Sequence, residues 1–238
     1  MDSDGSVDRC RYHDDQVSLA IRTHVCLADF DSNIGHNVQA LWNHFDKSVS
    51  KDFVAHRQLW HVSIISLGSF FGRLSSGIGS DFIVKRLGHS RFWCVVIAAF
   101  VFAIDQLAAS RIENPNYLWI VSGLCGLAYG LTFGVLPAVV VDTFGPDGFS
   151  VNWGFLTWAP VVSGNVYNLF YGAVYDSNSI VEPDGNRNCE EGLQCYQRAY
   201  YVTLLSSVLG IAVCLWGIHS EHARKRAVLE EHERHRDA

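Results

Sequence analysis

Long runs of apolar residues alternate with short polar segments over most of the chain. A helix needs about 20 mostly apolar residues to cross a hydrocarbon core roughly 30 Å thick. Five runs are close to this length or exceed it: 61–84, 92–109, 117–141, 149–175 and 199–218. The last three contain no Asp, Glu, Lys or Arg, which is unusual for long buried helices of a water-soluble protein. The pattern therefore predicts an all-α, polytopic membrane bundle of about five transmembrane helices.

The polar residues divide the chain into three parts. We expect a polar N-terminal segment at 1–58 that includes the remnant of a preceding helix, a transmembrane bundle at 59–219 and a charged tail at 220–238. Charged residues make up 18% of the chain, compared with about 25% in a typical soluble domain. The net charge of −6 argues against a nucleic-acid partner, which usually requires a basic face. The expected partner of the apolar runs is the lipid bilayer.

Lysine and arginine near the ends of the runs predict the orientation in the membrane. The hairpin between the first two runs carries Lys85, Arg86 and Arg91, and the tail is also basic. Positively charged loops remain in the cytoplasm, so both the hairpin and the C-terminus are expected there.

Glycines recur at helical spacing in two of the runs. Gly126, Gly130 and Gly134 share one helix face, and Gly68 and Gly72 share another. Small residues on one face allow helix backbones to approach closely in a membrane. These faces suit either a sliding contact between helices or a static one.

The first hairpin also resembles a known signature. The sequence GIGSD at 77–81, followed by KRLG at 85–88, resembles the loop motif of the major facilitator superfamily, although its basic residues are more widely spread. Together with segments 33–42, 123–134 and 152–176, it resembles the C-terminal half of fungal transporters in the nodulin-like, monocarboxylate-transporter-like branch.

This resemblance implies that the five runs correspond to helices eight to twelve of a twelve-helix transporter. Segment 17–30, which precedes the similarity, is too short and too polar to span a membrane. We therefore expect a truncated transporter that works, if at all, with a second half or another copy. The resemblance implies a vacuolar membrane, with the plasma membrane as the alternative.

The function expected from this resemblance is secondary transport of a small solute, which Arg73 suggests is anionic. The alternative is a non-transporting membrane subunit or an inactive fragment. The chain lacks a P-loop, a GxGxxG motif and a GxSxG motif, so neither an enzyme activity nor a cofactor is predicted. A metal site is not predicted either, since no CxxC or comparable zinc spacing occurs.

Arg73 is the strongest candidate for solute recognition, because it lies in the middle of the first run. An arginine at the centre of a membrane helix costs at least about 2.5 kcal/mol, and its fork of N–H groups matches a carboxylate. A structural pair with a polar group on another helix is the alternative. In the resemblance, Asp81 belongs to a cytoplasmic gating motif with Gly77, Lys85 and Arg86; a solvated interfacial acid is its simpler interpretation.

Three further groups of residues complete the candidates. Asp105, near the end of the second run, could couple transport to protons, although such an acid more often reaches interfacial water. Asn165 and Asn168 share a helix face and could line the solute path, but hydrogen bonds between helices are the commoner role. Cys189 and Cys195 lie in a loop expected to face the oxidising side, where a disulfide between them would persist.

Overall fold

The structure is a computed structural model that describes residues 34–46, 50–181, 187–189 and 191–236. Helices dominate the described part of the chain, as the apolar pattern predicted. We number the α-helices α1 (Ile34–Phe45), α2 (Lys51–Leu87), α3 (Phe92–Ala109), α4 (Leu118–Ser177) and α5 (Gln197–Arg236). Of the predicted N-terminal segment 1–58, residues 1–33 and 47–49 lie outside the described residues.

Short elements connect the helices. Two 3₁₀ helices, Pro115–Tyr117 and Gly192–Cys195, precede α4 and α5. Strands β1 (Ile180–Val181) and β2 (Arg187–Asn188) pair antiparallel in the loop between α4 and α5.

Each of the five apolar runs lies within a helix or begins just before one. By length and composition, three helical stretches of the described chain can cross a membrane: Phe92–Ala109, Pro115–Ser177 and Gln197–His219. The long helix α2 is not among them, because serines, glycines and Arg73 dilute its apolar residues. The count of five spans therefore stays a prediction.

Helix α4 is folded back on itself at Gly145. A straight helix of 60 residues would be about 90 Å long. However, Val121 near its start and Tyr175 near its end pack in the same apolar cluster. The reversal occurs at Gly145, whose φ of 74° and ψ of 170° are not helical and whose positive φ suits glycine. We call residues 118–144 the first leg of α4 and residues 146–177 its second leg.

The closest helix contact joins α2 to the first leg of α4. A methyl group added at Gly126 would overlap the backbone carbonyl of Ile65, and one at Gly130 would overlap that of Ser69. A methyl group at Gly72 would in turn overlap the carbonyl of Leu127. The prediction that the two glycine faces are packing surfaces is confirmed, and each faces the other.

The bundle has two ends that we name by their contents. The hairpin end contains the α2–α3 turn, where Gly88 ends α2 in a left-handed conformation, and the reversal of α4. The disulfide end contains α1 and the loop between α4 and α5. Helix α3 packs between the first leg and α5, and one apolar cluster near the hairpin end joins these elements: Phe92, Cys94, Val95, Val96, Val135, Val139, Cys214 and Ile218.

Large apolar side chains cover much of the outside of the bundle. Helix α2 buries one stripe against α4 and exposes most of its remaining surface. The second leg exposes a similar set: Val151, Phe155, Trp158, Val161, Val162, Val166 and Leu169. An apolar surface of this extent suits lipid or another membrane helix.

The glycine contact generates a stability prediction. Gly126→Ala should destabilise the protein by about 1–3 kcal/mol, because the added methyl group must push two helix backbones apart. Thermal unfolding in detergent should therefore show a lower midpoint.

The matched control is Gly154→Ala on the second leg, where an added methyl group meets no atom within 4 Å. Its midpoint should be unchanged or slightly higher, because alanine favours a helix more than glycine does. Equal losses in the two variants would contradict the close contact.

Candidate functional site

An ion-pair network joins three segments at the hairpin end. The Arg91 guanidinium donates from Nη1 to Asp81 Oδ1 at 2.8 Å and to Ser80 Oγ at 3.0 Å, and from Nε to Asp142 Oδ2 at 2.6 Å. Lys85 Nζ also lies 3.1 Å from Asp81 Oδ2, one turn along α2. The side chain of Arg91 is 19% exposed, whereas both carboxylates are about half exposed. Arg91 therefore links the end of α2, the start of α3 and the end of the first leg.

The network differs in one member from the predicted gating motif. Arg86 is exposed and makes no ion pair in the described part of the chain, whereas Asp81 pairs with Arg91 and Lys85. Arg86 follows Asp81 by five residues and points to another side of the helix, whereas Arg91 returns from the turn to face Asp81. Gly77 is exposed, and a methyl group added there would meet nothing within 4 Å.

Sequence reasoning missed Asp142 and used Arg91 only to predict the orientation in the membrane.

Partial burial lowers the pKa of Arg91, but hydrogen bonds to Asp81 and Asp142 outweigh this effect and raise the pKa overall. The guanidinium is therefore charged at any physiological pH. An acid that directly follows a charge-free apolar run was the available sequence signal for Asp142.

Arg73 lies on an open face of α2. Its backbone packs near Gly134 of the first leg, but its side chain is exposed among the exposed Phe70 and Leu74. In the described part of the chain, no carboxylate or hydrogen-bond acceptor pairs with its guanidinium, Asp81 included. The structural pair that was the alternative interpretation of Arg73 is not present there.

The two candidate asparagines lie on the second leg of α4. Asn165 is exposed and donates from Nδ2 to the Val161 carbonyl of its own helix at 2.7 Å. Asn168 is half-buried. Between them, the Tyr167 hydroxyl donates to Ser206 Oγ at 2.6 Å and so connects the leg to α5. No hydrogen bond joins either asparagine to Arg73 among the described residues.

Asp105 is fully buried near the disulfide end of α3. Neither of its carboxyl oxygens has a hydrogen-bond partner among the described residues. Its neighbour Gln106 bonds to Thr203 of α5, and Tyr200 of α5 is close enough to Asp105 to interact with it electrostatically. Its side chain has no exposed surface in this structure, unlike the interfacial acid that was the alternative interpretation.

A buried asparagine connects three helices at the disulfide end. Asn37 of α1 accepts a hydrogen bond of 2.5 Å from the Tyr171 hydroxyl of α4 and donates to the Tyr200 hydroxyl of α5. Sequence reasoning missed this role, because an asparagine in a short helix gives no sequence signal of a buried partner.

The loop that follows the second leg contains a disulfide between Cys189 and Cys195, the pair predicted from the sequence, and both are fully buried. Gly192 lies between the two cysteines in the chain and has a φ of +62°. It packs against His44 of α1. The loop and α1 thus cover the same end of the bundle.

Relatives of this chain are fungal membrane proteins. An uncharacterized membrane protein of Saccharomyces cerevisiae is 34% identical over 182 residues, which cover 71% of this chain and 33% of that protein. A protein of Neurospora crassa named probable transporter mch1 is 26% identical over 213 residues, which cover 79% of this chain and 35% of that protein. A Wickerhamomyces anomalus protein of the same name is 34% identical over 118 residues, which cover 49% and 24%.

The chain belongs to the major facilitator superfamily. Its branch is the fungal, monocarboxylate-transporter-like one that the loop motif indicated, and the similarity covers part of that fold. The chain spans about a third of the length of the Saccharomyces cerevisiae and Neurospora crassa relatives. No protein-family model matches it, and no solved structure does.

The ion-pair network should hold the hairpin end together. Arg91→Gln leaves Asp81 and Asp142 without their shared cation, so the melting temperature in detergent should fall, and proteinase K, which does not require Lys or Arg, should cleave the hairpin faster.

Arg86→Gln removes the same charge from the same hairpin without breaking an ion pair of the network, and should have little effect on either measurement. If both variants behave alike, the network does not hold the hairpin end.

Proposed function

We propose that this chain takes part in the transport of a small anionic solute across a membrane, with Arg73 as the group that recognises the anion. The similarity to proteins named as probable transporters supports a transport role. The observation that carries the anionic solute is an exposed arginine in the middle of α2 with no partner among the described residues.

The placement of Arg73 is costly unless it serves a ligand. A guanidinium at the depth of the hydrocarbon core requires water, a counter-charge or a solute carboxylate. The packed stripe of α2 faces the first leg and leaves the Arg73 side chain on the exposed face of the helix, where we place the solute path. Its planar fork can hold a carboxylate with two parallel hydrogen bonds. Asn165 and Asn168 are proposed to line the same path from the second leg.

The ion-pair network is proposed to act as a gate at the hairpin end. Arg91 bridges Asp81 and Asp142, which belong to the separate helices α2 and α4, so separating those helices requires breaking both pairs. Because the carboxylates are half exposed, water can replace the guanidinium at modest cost. Such a contact can close and reopen during a transport cycle.

We propose that Asp105 binds a proton during transport. A carboxylate ion buried without a hydrogen bond is strongly unfavourable, so the closed arrangement seen here suits the protonated acid. Opening the disulfide end would admit water and favour release of the proton. This step would couple solute movement to a proton gradient.

The proposed orientation follows from the charges. The hairpin end and the C-terminus would face the cytoplasm, and the disulfide end would face the oxidising side. The proposed location is the vacuolar membrane, with the plasma membrane as the alternative.

A non-transporting membrane subunit is the second candidate. The apolar surfaces of α2 and of the second leg are exposed over several turns and suit contact with another membrane protein. In that case the chain would fold and insert without supporting uptake.

Uptake measurements test the role of Arg73. Sealed membrane vesicles from cells that produce the chain should accumulate small radiolabelled monocarboxylates above the level of vesicles without it. Arg73→Gln should reduce this uptake about tenfold or more, because a charge-assisted bidentate contact is lost.

The matched control is Arg198→Gln, which removes an exposed arginine at the start of α5, far along the sequence from the proposed path. It should leave uptake unchanged. Folded, inserted wild-type chain with no uptake would favour the subunit, whereas undiminished uptake by Arg73→Gln would remove Arg73 from the proposal.

The proposed proton site predicts a change in pH dependence. Asp105→Asn replaces the protonated acid with a neutral group of similar shape, so the fold should be kept. Uptake by this variant should no longer increase when an inward proton gradient is imposed, whereas the wild type responds. A retained response in Asp105→Asn would show that the proton binds elsewhere.

A further inference from the structure

A small cavity lies at the disulfide end, apart from Arg73 and from the ion-pair network. Its volume is about 160 Å³. It is lined by residues of α1, α2, the 3₁₀ helix before α4 and the start of α4: Trp42, Arg57, Trp60, His61, Ile64, Pro115, Asn116 and Trp119. Three of these are tryptophans and none is acidic. Tryptophan is enriched at the boundary between water and hydrocarbon, so the cavity is expected at the level of the lipid headgroups.

Arg57 brings a fixed positive charge to this cavity. Its Cζ lies 5.4 Å from the centre of the Trp42 ring and 5.0 Å from that of Phe53, so the guanidinium is held by cation–π contacts. In the described part of the chain, no carboxylate or carbonyl accepts a hydrogen bond from it. Its N–H groups are therefore available to an anion.

His61 supplies a second polar group from inside the cavity wall. Its side chain is 6% exposed, and its Nδ1 lies 2.7 Å from Ser122 Oγ. In the tautomer with its proton on Nε2, His61 accepts at Nδ1 from the Ser122 hydroxyl, whose contact with the Leu118 carbonyl is longer, at 3.4 Å. The other ring nitrogen, Nε2, has no hydrogen-bond partner among the described residues.

Arg57 and His61 are four residues apart on α2 and so face the same side. Neutral His61 donates from Nε2 in this tautomer, and the lining side chains from the other elements, Trp42, Asn116 and Trp119, carry no charge that would oppose an anion.

We propose that this cavity binds the phosphate group of a lipid headgroup through Arg57 and Nε2–H of neutral His61. Ligand pockets for whole small molecules usually exceed about 300 Å³, so this cavity has room for a phosphate group but not for a nucleotide. Exposed Leu59 and Val62 lie on α2 beside the cavity, where acyl chains would continue from a bound headgroup. The proposal is independent of transport.

Binding can be measured by the rise in melting temperature of the purified chain in an uncharged detergent. Short-chain phosphatidylglycerol and inorganic phosphate serve as the two probes. We expect phosphatidylglycerol to raise the melting temperature, and Arg57→Gln to increase the concentration for half of this effect about tenfold or more. Arg111→Gln, which removes an exposed arginine outside the cavity, should bind as the wild type does.

A substitution tests His61 separately. His61→Phe keeps a ring of similar size but removes Nε2–H, so binding should weaken while Arg57 still contributes. Wild-type affinity in His61→Phe would remove His61 from the proposed site. If Arg57→Gln does not fold, Arg57→Lys keeps the charge without the fork and should bind with intermediate strength.

The two probes also distinguish the source of the phosphate. Inorganic phosphate could raise the melting temperature as much as phosphatidylglycerol does and lose this effect in Arg57→Gln; that result would support the same anion site with a free phosphate ion as its occupant. The proposal would be overturned if phosphatidylglycerol stabilised Arg57→Gln as much as the wild type. It would also be overturned if an uncharged lipid stabilised the wild type equally.

Discussion

The close contact between α2 and the first leg of α4 is the constraint on which the rest of this structure depends. Lipid tails are as apolar as leucine, so burying side chains between two membrane helices gives little hydrophobic gain. Dispersion contacts must replace that gain, and they require backbones that approach closely. Gly72, Gly126 and Gly130 allow this approach because each lacks the methyl group that would collide with the opposite backbone. The direction in which Arg73 points follows from it, because the packed stripe fixes the rotation of α2.

The sequence predicted the parts of the fold that depend on local composition. The apolar runs predicted the helices, and the i, i+4 spacing of glycines predicted the packed faces. Both signals depend only on residues that are close together in the chain. The reversal of α4 was expected between the third and fourth runs, and Gly145 supplies the conformation for it. The disulfide was predictable as well, because Cys189 and Cys195 are close in the chain.

Pairings between distant elements could not be predicted in the same way. Arg91 reaches Asp142 across 51 residues, and Asn37 bonds to Tyr171 across 134. Such contacts depend on how helix ends meet, which a hydropathy pattern does not contain. The loop motif led to Arg86 instead of Arg91, because a motif gives residue types in order but not the side of the helix on which each lies.

The two ends of the bundle are held by different interactions, and this difference bears on which end opens more easily. At the hairpin end, Arg91 makes ion pairs with half-exposed carboxylates, and water or salt can replace such pairs at small cost. At the disulfide end, Asn37 forms hydrogen bonds in a dry interior, where breaking them leaves polar groups without partners. The disulfide also closes the loop that packs on α1. If the bundle moves as we propose, separation at the hairpin end is therefore the less costly step, and opening of the disulfide end requires a ligand or release of the Asp105 proton to offset it.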